Sequence, residues 1–145
     1  MRPLPGDTSG LHSQRYSDRA DTGWTEASPM APPLYCVKMM YPSVANNGNM
    51  YFTAFGNDSI PYYLAVSKFE NGMYQVPERL SDSINFQSGM VYPAIAPDES
   101  YIIFVYDQGT FPECLYISFH KHDGSWSRAK KLKSSINSGI YYNIY

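Results

Sequence analysis

Two stretches of this chain repeat one another without a gap: YPSVANNGNMYFTAF from Tyr41 and YPAIAPDESYIIFVY from Tyr92 stand 51 residues apart. A fixed period of this kind marks a repeat architecture, in which each copy leaves a hydrophobic face for its neighbour to cover. Pro42 aligns with Pro93, Val44 with Ile95, Ala45 with Ala96, Phe52 with Ile103 and Phe55 with Tyr106. Later landmarks recur at 52: Gly72 with Gly124, Leu80 with Leu132, Ile84 with Ile136 and Asn85 with Asn137, so one inserted residue is expected between the two sets. A third copy is visible upstream, where Trp24 stands 102 residues before Trp126 and Met30 and Leu34 keep the four-residue step of Leu80 and Ile84. Downstream, SGIYYNIY from Ser138 repeats SGMVYPAI from Ser88 at a distance of 50. The predicted layout is a disordered segment over 1–10, a half repeat over 11–35, whole repeats over 41–85 and 92–137, and an opening strand over 138–145.

Within the later copy the reading is four short strands: VYPAIA, YIIFVYD, CLYISFHK and WSRAKKL. The first two are joined by PDES, and in the earlier copy by NNGN. Asn-Gly tolerates positive φ and Pro-Asp fixes φ while its carboxylate bonds the backbone ahead, so both read as turns between antiparallel strands. Tyr101, Ile103 and Val105 alternate with Ile102, Phe104 and Tyr106, so both faces of the second strand are apolar and must be covered. Blades stacked around a propeller axis do this. The expected fold is all-β, built of β-propeller blades of four antiparallel strands: two whole blades with partial blades at both ends. Arg128, Lys130, Lys131 and Lys133 mark the fourth strand as an outer edge, where charge resists pairing with other chains. Four repeats would need roughly 204 residues against the 145 present, so the expectation is an incomplete ring with an exposed apolar face.

Composition agrees with strands. There are 14 Tyr, aromatic residues make up 16%, and 11 Lys plus Arg nearly balance 13 Asp plus Glu. With no basic excess there is no electrostatic footprint for nucleic acid or an anionic membrane. The opening residues have no apolar stretch of a leader or anchor, and the longest apolar runs have strand length, so membrane insertion is not expected. Cys36 and Cys114 lack a CxxC pair and read as two buried thiols, with a disulfide between them the alternative.

The pattern Tyr-Pro-x-hydrophobic-Ala-Pro-Asp from Tyr92, the Asp123-Gly124-x-Trp126 turn and the Leu132-x3-Ile136-Asn137 tail together resemble the Pro-Asp-Gly repeat of TolB-type β-propellers. The resemblance covers about Leu11 to Tyr145. It implies a scaffold that binds partner proteins or further blades, without cofactor, and an extracytoplasmic location such as the periplasm. It also admits an accessory propeller of a prolyl oligopeptidase-like enzyme or glycosidase, while a truncated reading frame without independent function is a further reading. Two departures stand out. Asn46 and Asn47 replace Pro-Asp in the earlier copy, and Glu99 stands where Gly is usual. A left-handed Glu costs about 1 kcal/mol more than Gly, which points to another turn type there.

No residue is assigned a catalytic, cofactor-binding or metal-binding role. His120 and His122 share a strand face at the spacing of two metal ligands, but solvated hairpin residues explain them better. Asp98, Glu99 and Asp107 form no definable carboxylate pair for glycoside hydrolysis, and no Gly-x-Ser-x-Gly elbow is present. HDGSWS is similar to a sialidase Asp-box but lacks its residue between Asp and Gly, so it reads as a β-turn. Asn57-Asp58-Ser59 is a glycosylation triplet of a kind common by chance. The loops joining second and third strands are the expected interaction surface, through Asn57, Asp58, Tyr62, Asp107, Gln108 and Phe111.

Overall fold

A computed structural model describes residues 14–107, 109 and 113–137. The segment 1–10, the strand expected over 138–145, and Gln108 and Phe111 lie outside the described residues, as does the Cys36 side chain. Cys114 is a buried thiol.

The fold is all-β. The N-terminal part holds β1 (Arg15–Tyr16), β2 (Arg19–Ala20), β3 (Gly23–Trp24) and β4 (Ser28–Pro29), with β1 paired to β4 around a β2–β3 ribbon. A single 3-10 turn, Leu34–Cys36, leads to β5 (Met39–Val44), β6 (Met50–Asn57) and β7 (Ile60–Ser67), then the ribbon β8 (Phe69–Glu70) and β9 (Met73–Tyr74), then β10 (Glu78–Arg79). The later repeat supplies β11 (Met90–Ile95), β12 (Tyr101–Tyr106), β13 (Cys114–Phe119) and β14 (Lys130–Lys131). β5, β6, β7 and β10 form one antiparallel four-stranded sheet in chain order, and β11 to β14 form a second. The fourth strand is shorter than its sequence suggests: Trp126 makes only an isolated bridge to His120 before β14 begins. No helix among the described residues is long and apolar enough to cross a membrane.

The ladders correct the position of the inserted residue. Met40 pairs with Thr53 and Val91 with Val105, so the first strands differ by 91 − 40 = 51 and the second by 105 − 53 = 52. The extra residue lies in the first turn, which closes from Ala45 to Asn49 in one sheet and from Ala96 to Tyr101 in the other. Phe52 therefore corresponds to Phe104, not Ile103, and both are fully buried. A one-residue slip reverses every side chain in a strand, so the correction changes which face meets which.

On the corrected register the stacking is regular. One face of the first sheet carries Met50, Phe52, Ala54 and Ala65, covered by Met30 and Leu34 from the N-terminal part. Its other face carries Tyr51, Leu64 and Val66, which pack with Ile95, Ile102, Phe104 and Trp126 of the second sheet. Leu80 and Ile84, the counterparts of Met30 and Leu34, join that same layer. The far face of the second sheet holds Val105 and Leu115, with the cross-strand pair Tyr101 and Phe119 at its end 38% and 48% exposed.

Specific polar bonds fix this register. Asn85, 3% exposed, accepts from Leu64 N–H through Oδ1 (2.8 Å) and donates from Nδ2 to the carbonyls of Leu64 (2.9 Å) and Leu80 (2.8 Å). Asn137 repeats the clamp on Leu115 (2.7 and 3.3 Å) and Leu132 (2.7 Å). Ser67 and Ser118, both fully buried, each donate to a backbone carbonyl, of Gln75 and Ser127 respectively, at 2.5 Å. Glu99 does take the left-handed conformation, at φ 60°, contrary to the turn type expected. The conformation brings its carboxylate to Asn47 Nδ2 (2.8 Å), Asn49 Nδ2 (2.9 Å) and the Tyr51 hydroxyl (2.7 Å), three charge-assisted bonds from the first turn of the second sheet to the first turn and β6 of the first.

Candidate functional site

The strands run so that the β6–β7 turn, the 82–89 connection and Asp107 just after β12 gather at one end of the sheets, opposite the Glu99 turns. Gly89 ties them together. Its N–H donates to Tyr62 O (3.1 Å) and its carbonyl accepts from Asp107 N–H (2.9 Å). At φ 88°, and with Asp107 O only 2.2 Å from where a Cβ would stand, this position admits glycine alone. The result is a pocket of about 320 Å³ lined by Pro61, Tyr62, Ser88, Gly89, Tyr106, Asp107 and Gly109.

Of the residues expected to form an interaction surface, Tyr62 and Asp107 meet in this pocket. Tyr62 packs edge-on to Phe55 at 5.4 Å, and Asp107 accepts from Gly109 N–H at 2.7 Å. Asn57 shapes the neighbouring turn, its Oδ1 accepting from Ser59 N–H (3.0 Å) and Ile60 N–H (3.1 Å), and leaves Asp58 exposed at the tip. His120 and His122 do not act as a pair: His120 stacks on Trp126 at 4.6 Å and His122 lies in the following turn.

Sequence reasoning missed the tyrosine pair beneath this end. Tyr41 and Tyr92 both precede a proline, both sit at bulges in β5 and β11, and both have φ near 54° (54° and 53°). The bulge takes Pro42 and Pro93, which have no N–H to give, out of the ladder. Left-handed tyrosines cost about 1 kcal/mol or more each, offset by ring contact at 4.1 Å and by Thr53 Oγ1 accepting from Tyr92 N–H at 3.2 Å. The recurrence of Tyr-Pro at 51 was the available signal.

The electrostatics at this end are acidic on one side. A hydrogen bond to Tyr41, then burial, then the charges of Glu113 and Asp107 push the Tyr92 hydroxyl well above its ordinary value. Burial, with Asp107 adding to it, raises Glu113. On the other side, a groove holds Arg79, Asp82 and Arg128. Among the described residues no group of three or more His, Cys, Asp and Glu is placed to hold a metal ion. The described groups at this end offer hydrogen bonding, aromatic contact and charge.

No protein family, curated protein or solved structure matches the chain.

Proposed function

We propose that the chain is a run of TolB-like propeller blades acting as a non-catalytic scaffold for protein contacts, whose contact surface is the loop end around Tyr62 and Asp107. The observation that supports this best is the register of the stacking. Met30 and Leu34 stand to the first sheet as Leu80 and Ile84 stand to the second, the arrangement by which propeller blades bury both faces. Loops carried on a rigid stack are the usual place for recognition. Tyrosine suits that role, giving large contact area and a polar tip. The partner is a protein or further blades.

A photo-cross-linking residue placed at Asp58 on the loop end, and in a second variant at Asp98 on the opposite end, tests the surface. A protein adduct formed from Asp58 and not from Asp98 supports the reading; the reverse overturns it. Turnover of peptide or oligosaccharide substrates by the purified chain at roughly 1 s⁻¹ or above, the range of ordinary enzymes, overturns its non-catalytic half.

A further inference from the structure

Beside the Tyr62 pocket, and sharing Ser88 with it, runs a groove of about 680 Å³ between the β6–β7 turn and the 82–88 connection. Its lining includes Ser59, Ser83, Phe86, Ser88, Arg79 and Arg128. Arg79 is pre-set: one Nη donates to Asp82 Oδ1 (2.6 Å), the other to Asn85 O (3.0 Å), and the guanidinium lies 6.0 Å from the Tyr63 ring centre. The Asp82 side chain is 86% exposed, so this ion pair is solvated and adds little, and the contacts to Asn85 O and Tyr63 hold the guanidinium in place. Arg128 forms no hydrogen bond or ion pair among the described residues, yet its backbone is anchored next door, where Ala129 N–H donates to Ser83 O at 2.9 Å. The hydroxyls of Ser59, Ser83 and Ser88 likewise make no hydrogen bond among the described residues. Gln87 accepts from the Tyr106 hydroxyl, which leaves its amide NH₂ as a further donor.

We propose that this groove binds an acidic segment of a partner protein by a side-chain carboxylate, with Arg128 as the charged contact and Arg79 as the fixed wall. Guanidinium groups match the planar carboxylate with paired N–H donors, and the serines and Gln87 add neutral donors. Two arginines against Asp82 leave one net positive charge, the balance suited to a single carboxylate. A nucleic-acid backbone would need several more cations to release its counterions. Ile60 and Phe86 offer apolar contact to residues flanking the acid. The inference rests on the reading of this end as the contact surface, and not on the assignment of blades.

The test uses the full chain and two fluorescein-labelled probes, hexaglutamate and hexaglutamine, followed by fluorescence anisotropy at low salt. Hexaglutamate is expected to bind saturably and roughly tenfold or more tighter than hexaglutamine. Arg128→Gln should weaken hexaglutamate roughly tenfold with an unchanged melting temperature. Lys130→Gln, the same loss of charge on the nearby edge strand, should bind as wild type. Equal affinity for the two probes, wild-type binding by Arg128→Gln, or an equal loss from Lys130→Gln overturns the proposal. So does displacement of hexaglutamate by inorganic phosphate as effective as by unlabelled hexaglutamate, which would make the groove a simple anion site. If the Asp58 cross-link captures a partner while hexaglutamate fails, the scaffold reading stands and this inference alone falls.

Discussion

Asn85 replaces a stretch of strand. β10 pairs with β7 for two residues only, at Glu78 and Arg79, and beyond them one side-chain amide takes the Leu64 N–H and bonds the carbonyls of Leu80 and Leu64, the latter shared with Leu80 N–H at 3.0 Å. Removing it strands buried backbone groups, each costing about 1–3 kcal/mol. Asn85→Ala is therefore expected to lose about 3 kcal/mol, read from urea unfolding midpoints, while Asn137→Ala, in a more exposed copy of the clamp, should lose about 1 kcal/mol. Equal losses would show that burial does not set the strength of the clamp. Glu99 is the second residue of this kind. Burial works to raise its pKa, but the bonds from Asn49, Tyr51 and Asn47, with the charge of His120, outweigh it and hold the carboxyl below the ordinary glutamate value. A folded pKa below the unfolded one gives stability that is present above the unfolded value and lost as pH falls through the folded one. Wild type should melt above Glu99→Gln at neutral pH, and the gap should close as the pH drops below about 4. A gap that persists in acid would exclude the ionised carboxylate as its source.

At the scale of strands and turns, the alternation of Ile102, Phe104 and Tyr106 against Ile103 and Val105 was enough to read β12 and its two buried faces, because period-two patterning is a direct image of the pleat. The Leu-x3-Ile-Asn tail was readable as a landmark, though not as a clamp, since nothing in a lone Asn says which backbone groups it will meet. The inserted residue was misplaced because YPSVANNGNMYFTAF and YPAIAPDESYIIFVY look alike at 51 across the turn. Hydrophobic similarity there is blind to a one-residue change, whereas the ladder is not. Of the candidate loop-end surface, Tyr62 and Asp107 were named from sequence and lie together, whereas Gly89, Arg79 and Arg128 reach this end through chain folding that local sequence does not record. Gly89 tests how rigid that end is. Gly89→Ala meets both a forbidden φ and a backbone oxygen, so a loss of at least about 2 kcal/mol is expected, with faster hydrogen exchange at the Asp107 amide. Unchanged exchange there would mean that the Tyr62–Gly89–Asp107 tie does not order the loop.

For the molecule as a whole, the layer between the two sheets is the dominant core, drawing Tyr51, Leu64, Val66, Leu80 and Ile84 from one side and Ile95, Ile102, Phe104 and Trp126 from the other. Phe52 and Phe104 hold equivalent places on successive sheets and are equally buried, but Phe104 sits in this central layer and Phe52 in the one closed by Met30 and Leu34. Phe104→Ala should cost about 3–5 kcal/mol and broaden the whole unfolding transition, because it removes the contact through which one sheet supports the next. Phe52→Ala should leave the second sheet's amide protection near its wild-type level. Equal loss of protection everywhere in both variants would indicate a single cooperative unit.

The first turn closes in one residue fewer in one sheet than in the other, with Asn49 in the place that Tyr101 takes, and the layers above and below still meet. Length can thus drift at the hinges of such a chain without disturbing its strata, while each whole unit brings its own clamp and the residues that cover the unit after it. Gene duplication or loss in steps of one full unit would be absorbed at little cost, and a single-codon change inside β6 or β12 would not. Growth of this architecture is in that sense quantised, with the turn as the place where the quanta are joined.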